Sequence, residues 1–241
     1  MAVKKTKENS IEMYTRWYWE ELMEHGYISK IEREPETLVC ADPLVHYKTK
    51  RLASKPPKVI TFNLLPKIVL TYDTKVVWTE KARYIFYDVI DRDMVHDVFK
   101  FDRPPFIANK DYDEPGNEII VTRVDTKPPS KAGQMGAKLS SSYTFPIKQR
   151  MIMDKHGIYV DKFVPIPMSG SGITIAKFPN TFTPRRYLFT DREGSTQLRK
   201  INWNIPATKT KPLRKVPPIS LDQFVRERLR FLEENQIKLG L

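Results

Sequence analysis

The chain has 241 residues, with 41 Lys or Arg against 29 Asp or Glu, for a formal net charge of +12. That length suits one sizeable domain plus an extension. A lone cysteine, Cys40, excludes a disulfide framework and a cysteine-rich zinc site, and the four scattered histidines have no metal-ligand spacing.

In chain order, Asn9-Ser10 offers an N-cap and Glu12 falls in the first turn of the helix that follows, where the macrodipole favours an acid. The run ends at Gly26, a natural residue just past a helix. Tyr14, Tyr18, Leu22 and His25 recur at helical spacing and predict the core face. Glu20 and Glu21 read as a solvated face, with Glu20 close to Glu12 in angle. Strands follow Gly26-Tyr27-Ile28. The run from Lys67 to Trp78 is strand-like but has Asp73 in its middle, where strands disfavour an acid. Asp73 therefore suits either the tip of a tight turn or a ligand position.

Residues 88–116 read as a surface insertion. Proline-marked loops are expected at Lys55-Pro56-Pro57, at Arg103-Pro104-Pro105, from Pro128 to Ser142, and from Lys211 to Pro218. Ile119 to Val124 is β-branched and mostly apolar, which predicts a buried strand, and Pro128-Pro129 stop its ladder. Alternation places Asp125 and Lys127 on one face. Charges at the lip of a buried strand are costly unless paired, metal-bound or functional. The small, polar stretch 130–142 suits a mobile loop over a substrate. A helix is then expected with Pro146 near its start and Gly157 at its end, followed by a strand from Ile158 to Pro165.

This order resembles the PD-(D/E)XK nuclease superfamily, in particular its phage and resolvase-like branches. The matching residues are Glu12, Gly26-Tyr27-Ile28, Tyr72-Asp73 and Val124-Asp125-Thr126-Lys127-Pro128. The resemblance spans roughly residues 10 to 166. Tyr72 stands where the family has proline, and Thr74 where it has an apolar residue. The resemblance implies a restriction-endonuclease-like α/β core, with a mixed central sheet flanked by helices. It also implies a Mg²⁺ (or Mn²⁺) site formed by Glu12, Asp73, Asp125 and the Thr126 carbonyl, with Lys127 orienting water or stabilising charge at the phosphate. Lys148 and Gln149, on the helix after the motif, are implied supporting residues.

Residues 167–215 hold ten Lys or Arg against two acids. Arg185, Arg186, Arg199 and Lys200 are interleaved there with Phe178, Phe182, Tyr187 and Phe189, a pattern suited to contact with DNA phosphates. Ser220-Leu221-Asp222-Gln223 resembles a capping box opening a last amphipathic helix, which either packs on its own domain or docks a second copy or a larger phage assembly. The expected organisation is a nuclease core over 1–166 and a basic, proline-rich extension over 167–241. Met1-Ala-Val-Lys-Lys-Thr-Lys has no apolar core and no run reaches membrane-spanning length, so a reducing cytoplasm or a virion is the expected setting. The activity expected is a Mg²⁺-dependent DNA endonuclease for recombination, DNA processing or packaging. The alternative is a nuclease-fold virion protein that binds DNA without turnover.

Overall fold

A computed structural model describes residues 9–33, 36–52, 55–89, 103–114, 116–129, 135–170, 172–178, 180–202 and 219–235. Asn9 caps helix α1 (Ser10–Glu24), accepting from the backbone N–H groups of Ile11 and Glu12 at 2.9 Å. The Glu12 carboxylate returns a bond to the Asn9 backbone N–H, completing a capping box. Gly26 follows at φ +73, a conformation that costs a glycine little. Strands β1 (Ile28–Arg33), β2 (Thr37–Ala41), β3 (Leu44–Leu52), β4 (Lys55–Leu65), β5 (Ile68–Thr71) and β6 (Thr74–Trp78) come next. A turn of 3-10 helix at Glu80–Ala82 leads to β7 (Tyr87–Val89), β8 (Phe106–Tyr112) and β9 (Glu118–Thr126). Helix α2 (Met135–His156), β10 (Val160–Phe163), β11 (Ile166–Gly170), β12 (Ile173–Lys177), β13 (Arg186–Thr190), β14 (Thr196–Lys200) and α3 (Leu221–Glu234) complete the order.

The central sheet is mixed, in the order β1-β6-β9-β8-β7, with β10 also on β9. Strands β1, β6, β9 and β8 pair antiparallel in turn, and β10, reached through α2, runs parallel to β9. One edge of β9 is shared: β8 takes Glu118 to Val121, and β10 takes Arg123 to Thr126. Smaller antiparallel groups are β2–β5, β3–β4 and β11 through β14.

Alternation along β9 splits its side chains between two layers. Val124 packs with Val76, Trp78 and the aromatic side of α1, in a core that includes Tyr18, Trp19, Phe106 and Phe163. The odd-numbered side faces a second cluster, where Phe145 and Ile152 of α2 meet Val160, Tyr72, Leu38, Cys40 and Leu70.

The main core does not stop at residue 166. Phe178 stacks on Phe163 with ring centres 4.7 Å apart, and Phe182 on Tyr18 at 4.5 Å. Leu221 and Leu232 of α3 join the same core, and Arg228 donates to the Tyr84 carbonyl at 2.9 Å. The last helix thus packs on its own chain. Its capping box is half formed: Ser220 accepts from the Gln223 N–H at 3.1 Å, while the Gln223 side chain turns to Glu227.

Other expectations change. Lys55-Pro56-Pro57 opens β4 instead of forming a loop; β4 pairs on one edge only, which tolerates the missing proline N–H groups. Pro146 lies inside α2, which begins at Met135, within the stretch expected as a loop. The stretch 88–116, expected as a surface insertion, supplies most of β7 and all of β8 in the central sheet, with Phe106, Ile107 and Ala108 buried. Glu21 is buried, not solvated, and accepts from the Arg185 N–H at 2.7 Å. Residues 130–134 of the expected loop from Pro128 to Ser142, and the whole of the expected loop from Lys211 to Pro218, lie outside the described residues. Among the described residues, no helix is long and apolar enough to cross a membrane.

Asp161 of β10 sits on the far side of the sheet from the charged end of β9 described below. It accepts from the Ile107 N–H at 2.9 Å, and burial pushes its carboxyl up to about 7, opposed by that bond and by Arg103. A raised folded-state value favours the neutral acid, so this contribution to stability is complete below the ordinary value and is lost as pH rises through about 7. Asp161→Asn should flatten the fall in melting temperature between acid and neutral pH. A variant with the wild-type pH profile in thermal unfolding would remove Asp161 as its source.

Candidate active site

The register between β6 and β9 pairs Thr74 with Val124, so the next positions, Asp73 and Asp125, face each other across the two strands. Both follow from local chemistry. Asp73 interrupts an apolar run and sits at the bend between β5 and β6, held by a bond from its own N–H to the Val124 carbonyl at 3.0 Å. Asp125 ends the β-branched run just before Pro128-Pro129 terminate the ladder.

The Asp73 carboxylate accepts from the Thr126 N–H at 2.6 Å. Oδ1 of Asp125 accepts from Lys127 Nζ at 2.8 Å. Asp125 itself has no exposed surface, whereas the Lys127 side chain is 31% exposed. Oδ2 of Asp125 is buried and has no donor among the described residues. The two carboxyls are within hydrogen-bonding reach of each other once one carries a proton. Burial raises both above the usual carboxylate range; the Thr126 N–H opposes this at Asp73 and Lys127 opposes it at Asp125, while the charge of Asp125 adds to the rise at Asp73. Two adjacent buried carboxylates repel, and a buried oxygen without a donor keeps its desolvation cost. A bound cation would relieve both.

A cavity of about 510 Å³ opens beside Asp73 on the α1 side of the sheet, lined by Asp73, Thr74 and Thr126, by Ile31 and Arg33 from β1, and by one side of α1; Asp125 and Lys127 are not in its lining. The α1 side consists of Glu12, Thr15, Arg16, Trp19, Glu20 and Met23, spaced as one helical face. Trp19 has a buried Nε1–H with no acceptor among the described residues.

The residues expected at the site are therefore only partly gathered. Asp73, Asp125, Thr126 and Lys127 meet at the end of β9. Glu12 reaches the same cavity, but its carboxylate is bonded back to Asn9. Lys148 of α2 lies near enough to lower the Asp125 carboxyl, and Gln149 donates to the Val160 carbonyl at 2.6 Å. Arg185 pairs with Glu21 and Glu24, and Arg186 with Glu20 and Glu24, so both arginines clasp the sheet to α1. A phosphate would have to compete with those glutamates. Arg199 and Lys200 lie exposed on β14, with the Arg199 guanidinium 3.9 Å from the Phe189 ring centre.

Compared with protein-family models, curated proteins and solved structures, the chain matches none. The site therefore rests on its own geometry.

Among the described residues, no three His, Cys, Asp or Glu side chains form a group able to hold a metal ion. Two carboxylates are nonetheless enough for Mg²⁺, which keeps several waters and commonly takes its remaining ligands from a substrate phosphate. The donor-free oxygen of Asp125 fits such an ion, and the hard oxygen donors exclude a preference for soft metals. Sequence reasoning overlooked Arg16, Arg33 and Trp19. The angular proximity of Glu20 to Glu12 was the available signal, since Arg16 lies between them on that face.

Beyond the Asp73–Asp125 pair, Arg123 of β9 forms a separate polar cluster. It donates to Asp111 at 2.8 Å and to the Tyr72 hydroxyl at 3.2 Å, and Tyr72 donates to Glu36 at 2.7 Å. Lys75 completes the cluster on Asp111 at 2.8 Å. Its charges are mutually satisfied, whereas the Asp73–Asp125 pair leaves one buried Asp125 oxygen without a donor among the described residues.

Proposed function

We propose that the chain is a metal-dependent phosphodiester hydrolase acting on DNA, built on a PD-(D/E)XK-type core. One observation carries the reading: Asp73 and Asp125 stand side by side on paired strands, Lys127 lies against Asp125, and the remaining Asp125 oxygen is buried without a donor. The helix, three antiparallel strands, helix and parallel strand that frame the site follow the order the sequence resemblance implies, and this supports the reading.

Asp73 and Asp125 would hold Mg²⁺ or Mn²⁺, with the Thr126 N–H fixing the Asp73 carboxylate. An ion held there would supply a more acidic water and would offset charge on the phosphate. Water adds to phosphorus, the P–O bond to the leaving sugar breaks, and the leaving oxygen takes up a proton. Lys127 sits where an ammonium can orient that water or balance charge on a phosphate oxygen. The cavity beside Asp73 gives the substrate an approach, with Arg16 and Arg33 in its wall.

The test is cleavage of supercoiled, nicked, linear and branched DNA with Mg²⁺ or Mn²⁺, with EDTA as control. Metal-dependent products support the hydrolase. No cleavage of any of these substrates, with DNA binding intact, supports a nuclease-fold binding protein without turnover.

A further inference from the structure

Among the described elements, the β3–β4 ribbon stands largely apart from the others. Its two strands pack chiefly on each other, and the side chains described along it are exposed from His46 to Lys50 and from Lys58 to Leu65. A two-stranded hairpin is marginal in water on its own, so a surface this open calls for a partner.

The register makes the ribbon two-faced. Directly paired residues share a face, which groups His46 with Phe62, Lys48 with Ile60, and Lys50 with Lys58. The other face carries Tyr47 with Thr61 and Thr49 with Val59, all uncharged. From Leu44 to Leu65 the sequence holds four lysines and one arginine and no acid. Lys50 directly opposite Lys58 is a repulsive cross-strand pair, and nothing acidic in the ribbon offsets it.

We infer that the lysine face of this ribbon is a docking surface for the phosphate backbone of DNA. A polyanion turns the Lys50–Lys58 repulsion into attraction. A second copy of the chain would not, because it brings the same lysines and the same net charge of +12. The dimensions agree: nine residues of strand extend about 30 Å, close to one turn of duplex, and the major groove admits a two-stranded ribbon. The ribbon also springs from the β2–β5 pair, and β5 runs within two residues of Asp73. The choice of DNA over other polyanions rests on the phosphodiester reading of the acid pair.

The experiment replaces Lys48, Lys50 and Lys58 together with alanine in the full chain. Binding to a fluorescent duplex is measured by anisotropy in EDTA over a range of salt concentrations. Tyr47→Ser on the opposite face is the control, and near-ultraviolet circular dichroism checks the fold. The triple variant should bind at least about tenfold more weakly, with the slope of log affinity against log salt reduced by about 2–3. The control should keep the wild-type slope. An unchanged slope in the triple variant overturns the proposal. So does lysine-dependent binding to phosphatidylserine vesicles with an unchanged DNA slope, which would make the partner a membrane. So does a dimer in light scattering that the triple variant abolishes while its DNA slope stays unchanged. Ribbon-dependent binding by a wild-type protein that never cleaves DNA overturns the hydrolase and leaves the ribbon's role standing. Metal-dependent cleavage with an unchanged slope in the variant does the reverse.

Discussion

Asp125→Asn should abolish metal-dependent DNA cleavage, by at least about 10³-fold, while leaving DNA binding in EDTA close to wild type. The substitution keeps shape but removes the charge that would hold the ion. It should also separate catalysis from stability. Burial raises the Asp125 carboxyl, so the ionised form works against the metal-free fold. A raised folded value means that stability is fully present below the ordinary carboxylate value of 3.8 and falls as pH rises above it. The metal-free asparagine variant should therefore melt no lower than wild type at alkaline pH, and it should lose the rise in melting temperature that Mg²⁺ gives wild type. Equal Mg²⁺-induced shifts in both proteins would remove Asp125 from the metal site, whatever happened to activity.

Lys127→Ala should have the opposite thermal signature. The lysine balances Asp125 through the 2.8 Å contact, and its removal leaves a buried carboxylate with neither oxygen paired to a cation. Breaking a buried pair from one side typically costs about 3–5 kcal/mol, and partial exposure of the lysine puts this case at the low end. The metal-free variant should melt lower than wild type at neutral pH, and Mg²⁺ should restore more stability than it adds to wild type. Metal affinity should hold or tighten, because a competing cation is gone. The cleavage rate should still fall by about 10²–10³, with KM little changed, because the positive charge at the phosphate is lost. A variant that cleaves at the wild-type rate would make Lys127 a structural counter-ion only.

Much of this site was legible because its signals are local. Asn9, Glu12 and Gly26 mark a helix by capping chemistry alone, and Ile119 to Val124 mark a strand by composition. Asp73 stood out as an acid inside an apolar run, and the register places it opposite Asp125. Pairings that join distant segments were not legible. Nothing near Arg186 announces that it will clasp Glu20 and Glu24, which lie more than 160 residues earlier, so its charge read as a nucleic-acid contact. The Glu12 carboxylate illustrates a competition: the same residue suits a cap and a metal ligand, and in this structure the cap takes it. The ribbon was hidden by Pro56 and Pro57, which signal a loop unless the strand pairs on one edge only.

The aromatic face of α1 has a consequence for how the protein matures. Tyr18 is covered by Phe182, and Leu232 of α3 closes the same core. The other side of α1 forms a wall of the cavity beside Asp73. A ribosome-bound chain has made both aspartates long before it has made the residues that seat this helix. The aspartate pair and the cavity beside it therefore assemble late, only once Leu221–Glu234 has been synthesised. Nascent chains arrested before Ser220 should be cut by protease within α1, and those released beyond Glu234 should resist. Early resistance would mean that the first 166 residues seat the helix unaided.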